Sequence, residues 1–368
     1  MHNTKNFSIC VCYETGCSGE TIATENIIRV LHHYPNVQVY SYSHSPLIHT
    51  SSWGYFSWVI HSIFYWLTIL YRKRDVDWVY TTTFTAGVAA SVLKVFFPFH
   101  LAWNFQGSRI PPPPKKLRGM TYTTQLCKYF LTRLLHSFFV NNTDIIFVPC
   151  RSSERYLMSE LPEVACKNIV YFPNGVDMQK FHGKKRRNVR GVPTLASINI
   201  LDDRKNVLKL YRVALQIKKH IPQLKFLIAF PHPLTSRGAE IKKQLQLQAK
   251  KHTWIHLVED PAHIEEIYAS ATIVVSLTRE DQFPLILLES FATKTIFMAT
   301  PKGEIPTLLS CVDPRLIIME RSLKKITQHI VSMFQLPDTE LDTIRTKGYH
   351  LAQTYTWEHS VQELMKSL

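Results

Sequence analysis

The chain has 368 residues, 45% of them hydrophobic and 12% aromatic, which is enough for two packed cores and argues against disorder. Its 43 Lys and Arg against 28 Asp and Glu give a formal charge of +15, a balance that favours nucleic acid, anionic lipid or phosphorylated small molecules as partners. Seven cysteines without a CxxC pair spell neither a zinc site nor a disulfide framework and read as reduced thiols of a cytoplasmic protein.

The opening "MHNTKNFSIC" lacks the charged and apolar regions of a secretory signal. "FSICVCY" (7–13) is a β-prone run, and the glycines at 16 and 19 then precede a helical pattern of Ile22, Ile27, Ile28 and Leu31. Strand, glycine loop and helix start make a ligand platform or an ordinary βα loop. "WGYFSWVIHSIFYWLTILY" (53–71) is uncharged and long enough to raise a membrane span. Phe56, Val59, Ile60, Ile63, Phe64, Leu67 and Leu70 fall on one face, with Ser57, His61 and Thr68 on another, which predicts a helix packed on a core. Arg72, Lys73 and Arg74 after it keep a membrane-surface role open.

"VDWVYTT" (76–82) and "HLAWNF" (100–105) read as buried strands around a helix over 87–97. The four prolines of "IPPPPKKLRG" (110–119) predict an exposed loop. "LCKYFLTRLLHSFF" (126–139) mixes apolar residues with Lys128, Arg133 and His136: a basic amphipathic helix on an anionic membrane, or a partly buried helix with snorkelling cations. "DIIFVPCRSS" (144–153) is a strand leading into a short helix. A further strand stops at Pro173, where Asn174-Gly175 predicts a left-handed turn. The basic run from Lys184 to Arg190 marks a linker.

Beyond it strands and helices alternate: "PTLASINIL", a helix over 206–219, "KFLIAF", a helix over 238–250, "WIHLVE", a helix over 263–269, "ATIVVSLT", a helix from Pro284, and "KTIFMAT". Such alternation implies a parallel sheet covered on both faces. The fold class is therefore α/β, with two doubly wound Rossmann-like domains facing a cleft and ligand beyond the carboxyl ends of the strands. The expected division is 1–181, a linker over 182–193, a second domain over 194–345 and a terminal helical segment over 346–368.

In "REDQFPLILLES" (279–290), Asp281 lies in the loop after a buried strand and Pro284 at the first helical position, with Glu289 just beyond the first turn. Free N–H groups near Leu285 and Ile286 favour an anion, and two flanking carboxylates suit the hydroxyls of a phosphorylated sugar or nucleotide. Spacing alone leaves two other readings: Glu289 capping or salt-bridging within its domain beside a solvated Asp281, or a glycosidase-like acid/base pair.

Three segments carry a resemblance. "YFPNGVDMQKF", "EDQFPLILLESFATKTIFMAT" and the terminal "TYTWEHSVQELMKSL" resemble, in order and spacing, motifs of the family 4 glycosyltransferases, whose fold is called GT-B. The resemblance implies a retaining, metal-independent glycosyltransferase without cofactor that uses a nucleotide-sugar donor, a UDP- or GDP-sugar, and a terminal helix that crosses back to the first domain. Glu289 matches the acid implied to bind the ribose hydroxyls and Asp281 the acid implied to contact the donor sugar, with Glu280 beside it. Phe283, Pro284 and Leu285 match the turn whose backbone approaches the diphosphate, and Lys205 the diphosphate lysine. The family's "GR" falls at Asn199 and Ile200, so its arginine is missing and Arg204 stands as a substitute; Thr307 stands where an acid is usual, and Asn104 or Gln106 where a histidine is.

The implied acceptor, a glycan or lipid-linked molecule of cell-surface polysaccharide synthesis, falls to the first domain and cleft, near Gly16, Gly19, Arg109 and Asn174. The expected location is cytoplasmic, peripheral on the inner face of an anionic membrane. Two rival readings are a glycan-binding remnant with an impaired donor site, and a basic nucleic-acid-binding protein, for which no RNA- or DNA-binding motif is present and no specific nucleic acid is expected.

Overall fold

The computed structural model describes residues 7–14, 19–44, 52–106, 120–181, 191–233 and 235–368. Gly16, Arg109, the tetraproline segment and the Lys184–Arg190 run lie outside them, as do the side chains of Phe56, Ser57, Val59 and Lys128. By its contacts the chain divides into two compact units.

The first unit holds β1 (Phe7–Glu14), α1 (Gly19–Leu31), β2 (Val37–His44), α2 (Ser52–Arg72), β3 (Trp78–Thr81), α3 (Phe84–Lys94), β4 (His100–Asn104), α4 (Met120–Asn142), β5 (Ile145–Val148), α5 (Arg151–Glu160) and β6 (Asn168–Tyr171). Residues Val361–Leu368 belong to it as well. Its six strands are parallel in the order β2-β1-β3-β4-β5-β6. The chain leaves β1 first for one side and then for the other, so the sheet switches direction between β1 and β3. The "IIFV" of β5 is buried throughout, as expected of a parallel strand covered on both faces. Thr83 caps α3, its hydroxyl accepting from the Ala86 N–H, so that helix starts before residue 87 and ends before Phe96 and Phe97.

Two expectations for this unit are corrected. In α2 the buried residues include Ser62, Trp66 and Leu70, while Ile60 and Phe64 are exposed. A helix that is apolar on most sides carries no phase in its pattern, and the core takes the face that fits. In α4, His136 is buried and stacked on Phe84 with ring centroids 3.9 Å apart. Burial pushes its pKa down to about 4, so it is a neutral core residue and no cation for an anionic surface.

The second unit holds α6 (Met178–Phe181), β7 (Thr194–Ile198), α7 (Val207–His220), β8 (Lys225–Phe230), α8 (Ser236–Lys251), β9 (Ile255–Glu259), α9 (Ile264–Ser270), β10 (Ile273–Ser276), α10 (Leu285–Ala292), β11 (Ile296–Ala299), α11 (Ile305–Val312), α12 (Leu323–Phe334) and α13 (Asp338–Thr354). Its parallel sheet runs β11-β10-β7-β8-β9, which places the switch point between β7 and β10. The final helix is α14 (Trp357–Ser367). The two parallel sheets with their helices are the Rossmann-like pair expected of the GT-B plan.

Asn174-Gly175 forms no left-handed turn: the positive-φ residues of the described chain are Asn206, Asp260, Lys294 and Gly303. The glycine answers a close approach instead. A Cβ on Gly175 would lie 2.4 Å from the Trp357 nitrogen, because the Val176 N–H donates to the Tyr355 carbonyl at 2.9 Å. The "NGVD" and "TYTW" segments thus pack on one another.

Candidate active site

The carboxyl ends of β7 and β10 carry most of the residues singled out from the sequence. After β7, Asp202 caps a short 3-10 turn over Asp203–Lys205. Asn206 leaves that turn in the left-handed region, φ 55°, a conformation asparagine tolerates better than most residues. Its side-chain amide donates to the Leu277 carbonyl at the end of β10, 3.0 Å away. The Arg279 N–H donates to the Arg204 carbonyl at 2.7 Å. These two bonds stitch the loop after β10 to the turn that presents Lys205.

The stitching brings Lys205 to Asp281: Nζ and Oδ2 are 2.7 Å apart, with the side chains 21% and 13% exposed. At that burial the attraction is stronger than at the surface, and both charges have lost hydration to form it. The Asp281 loop is shaped from behind by Gly303. Its φ is +52°, and a Cβ there would meet the carbonyl oxygens of Gln282 at 2.2 Å and Asp281 at 2.3 Å. The Glu304 N–H closes the contact on the Gln282 carbonyl at 2.8 Å. Glu280 stands beside the pair, its carbonyl accepting from the Thr278 hydroxyl at 2.6 Å.

Arg204 is turned the other way. Its Nε and guanidinium nitrogen donate to Asp202 at 3.0 and 2.9 Å, so it is held at the surface by its own neighbour. Phe283 is buried against Tyr355, and its carbonyl accepts from the Asn174 amide at 2.9 Å. Asn174 therefore positions the loop that enters α10. Pro284 is the residue before α10 rather than its first member, with ψ 123°, and Leu285 begins the helix. Extended backbone at the capping proline sets the loop's exit, and its carbonyl accepts from the Leu287 N–H at 3.2 Å.

Glu289 lies on α10 with its carboxylate accepting from the Tyr268 hydroxyl of α9. Burial pushes its pKa up, while the Tyr268 hydrogen bond and the charge of Lys180 pull it down. Burial and the adjacent carboxylate push the Tyr268 hydroxyl well above its ordinary value. The tyrosine is thus a donor at all ordinary pH, and Glu289 keeps one oxygen for another partner.

Asn199, which motif spacing sets at the start of the family's "GR" without giving it a role, is a buried donor. It lies just past β7, is 9% exposed, and its side-chain nitrogen has no hydrogen-bond partner among the described residues. A buried amide in that state costs about 1–3 kcal/mol, and it stands where the arginine-bearing segment of the resembling family would begin. Beyond β1, Gly19 opens α1, close in sequence to two carboxyls of the first unit. Burial pushes both Glu14 and Glu20 up to about 7. The Thr21 hydroxyl donates to the Glu14 carbonyl at 3.1 Å.

Among the described residues, His232, Glu259 and Asp260 have metal-ligand spacing. All are exposed, and Glu259 already accepts from His232 and Lys242 at 2.7 and 2.6 Å, which leaves little uncompensated charge for a cation.

Residues 193–335 match the family described as Glycosyl transferases group 1. Among solved structures the fold is similar to sucrose-phosphate synthase from Thermosynechococcus elongatus (TM-score 0.79, 16% identity, 98% of each chain covered). It is also similar to a glycosyltransferase from Rickettsia africae (0.73, 14%, covering 98% of this chain and 97% of that one). HepE of Anabaena, solved in complex with UDP-glucose, gives 0.73 at 12%, with 98% of this chain and all of that one covered. Among curated proteins none matches the chain.

Proposed function

Because residues 193–335 match the family described as Glycosyl transferases group 1, we propose that the chain transfers a sugar from a nucleotide-diphosphate donor to an acceptor hydroxyl. The observation that carries this reading is the joining of Lys205, Asp281 and the start of α10 at the switch point of the second sheet by the bonds of Asn206, Arg279 and Asn174. That is where a doubly wound sheet binds its ligand.

In this reading Lys205 meets the diphosphate and stabilises the charge that grows on it as the glycosidic bond breaks. The backbone of Phe283, Pro284 and Leu285 borders the same phosphates, at the positive end of α10. Glu289 accepts the ribose hydroxyls through the oxygen that Tyr268 leaves open, and Asp281 with Glu280 accepts hydroxyls of the sugar. The reaction retains the donor's anomeric configuration, and neither a metal nor a protein base is assigned to it. A UDP-sugar is the first donor to test, since the Anabaena structure holds UDP-glucose. The acceptor is a glycan or lipid-linked hydroxyl of surface-polysaccharide synthesis. Glu14 and Glu20 suit such a polyol, because carboxyls with pKa near 7 both donate and accept.

The test is donor turnover with water as the default acceptor: UDP-glucose and GDP-mannose are incubated with the protein and nucleotide release is followed, with the sugar's anomer read by proton NMR. Saturable release of one nucleotide with retained configuration, lost in Lys205→Ala, is the expected result. Absence of release from every donor, together with absence of binding, overturns the reading.

A further inference from the structure

A soluble helix turns its polar side outward, and the helical layer over the first sheet presents large apolar side chains there as well. Helix α3 packs against both α2 and α4. Phe64 of α2 is 65% exposed, Phe96 just after α3 is 73% exposed and Leu134 of α4 is 68% exposed. On α4 the exposed apolar residues Phe130, Leu134 and Phe138 recur at the helical interval and form an outer stripe. Single exposed apolar residues need no explanation, but adjacent helices that each present them mark a docking surface.

Charge says what docks. Helices α2, α3 and α4 contain no Asp or Glu at all. Lys94 and Arg133 are paired with Asp144 and Glu160 of neighbouring elements, so the positive charge of the face rests on Arg72, Lys73 and Arg74 at the end of α2, beside Asp75 and Asp77. Asp77 is engaged by Ser8, whose N–H and hydroxyl donate to it at 2.7 and 2.9 Å. Arg72, Lys73 and Arg74 close α2, and the Arg74 guanidinium lies over the Tyr71 and Phe97 rings at 5.0 and 5.8 Å. A cation laid along aromatic rings at the rim of an apolar surface is placed to reach anionic headgroups while the rings enter the acyl boundary.

We propose that the α2–α3–α4 face of the first unit docks on the surface of an anionic lipid bilayer. No helix among the described residues is long and apolar enough to cross a membrane, so the face lies on the bilayer and does not span it. A second copy of the chain is disfavoured as occupant, because the Arg72–Arg74 cluster of one copy would meet that of the other. Nucleic acid is disfavoured because aliphatic Val95, Leu131 and Leu134, which neither stack on bases nor bond phosphates, interrupt the exposed phenylalanines. The proposal stands apart from the donor reading, since none of its residues lies in the second unit.

The test is co-sedimentation with vesicles of phosphatidylglycerol and phosphatidylcholine, against vesicles of phosphatidylcholine alone. Wild-type protein is expected to bind the anionic vesicles, more weakly as salt rises. The combined variant Phe64→Ser, Phe96→Ser, Leu134→Ser is expected to bind at least about tenfold more weakly, with thermal stability and nucleotide binding unchanged because all three side chains are exposed. Equal binding by this variant overturns the proposal. So does loss of vesicle binding when a single-stranded oligonucleotide is added, or a wild-type dimer that the variant disperses and that ignores lipid.

Discussion

Lys205 and Asp281 form a partly buried ion pair at the switch point of the second sheet, Nζ to Oδ2 2.7 Å. The proposed roles give these residues different parts of the donor, so in the free protein each occupies the other's place. Donor entry then exchanges Asp281 for a phosphate as the partner of Lys205. Replacing Asp281 with Asn removes the competitor without changing shape. Asp281→Asn is expected to bind UDP about threefold or more tighter than wild type while sugar transfer falls. Calorimetry and a turnover assay on the same preparation check both halves.

Asn199 separates a structural role from a binding role. Its buried amide nitrogen has no partner among the described residues, so Asn199→Leu removes an unmet group and is expected to keep or raise the melting temperature. If that nitrogen is kept for the donor's phosphates, the same variant binds nucleotide about tenfold more weakly. A fall in melting temperature with nucleotide affinity unchanged assigns the residue to the fold instead.

Gly303 tests whether the Asp281 loop needs its shape. Its φ is +52°, and a Cβ there would sit within 2.3 Å of two carbonyl oxygens. Gly303→Ala is therefore expected to cost about 1–3 kcal/mol and to shift the loop. Thermal denaturation reads the first effect, and weakened UDP binding in calorimetry the second.

The acids of the first unit set a pH dependence. Burial raises Glu14 from an ordinary 4.5 to about 7, and burial with the charge of Glu14 does the same to Glu20. Their folded pKa values lie above the unfolded ones, so the folded protein holds more protons across that interval. The stability this contributes is full below the unfolded pKa and is lost as pH rises through about 7. Melting temperature is expected to fall from about pH 5 to about pH 8, and Glu20→Gln to flatten that fall.

Much of this is readable in the residues. The buried runs of β5, β10 and β11 announce parallel strands because both of their faces are covered. Lys205, Asp281 and Glu289 emerge from motif spacing, which records the order of loops along the chain. What escapes such a reading depends on partners distant in sequence. Asn174-Gly175 has the local signal of a turn, yet its geometry is set by Trp357. Asn199 and Asn206 gain meaning only from the strands beside them, and α2, apolar on most sides, leaves its inward face to packing.

The most direct measurement is a calorimetric titration of the protein with UDP, GDP and ADP, repeated on Glu289→Ala. A nucleotide-sugar transferase of the proposed kind binds one of the three selectively, and Glu289→Ala weakens that binding about tenfold or more. Binding of none of them, or equal binding by the variant, contradicts a donor site at α10.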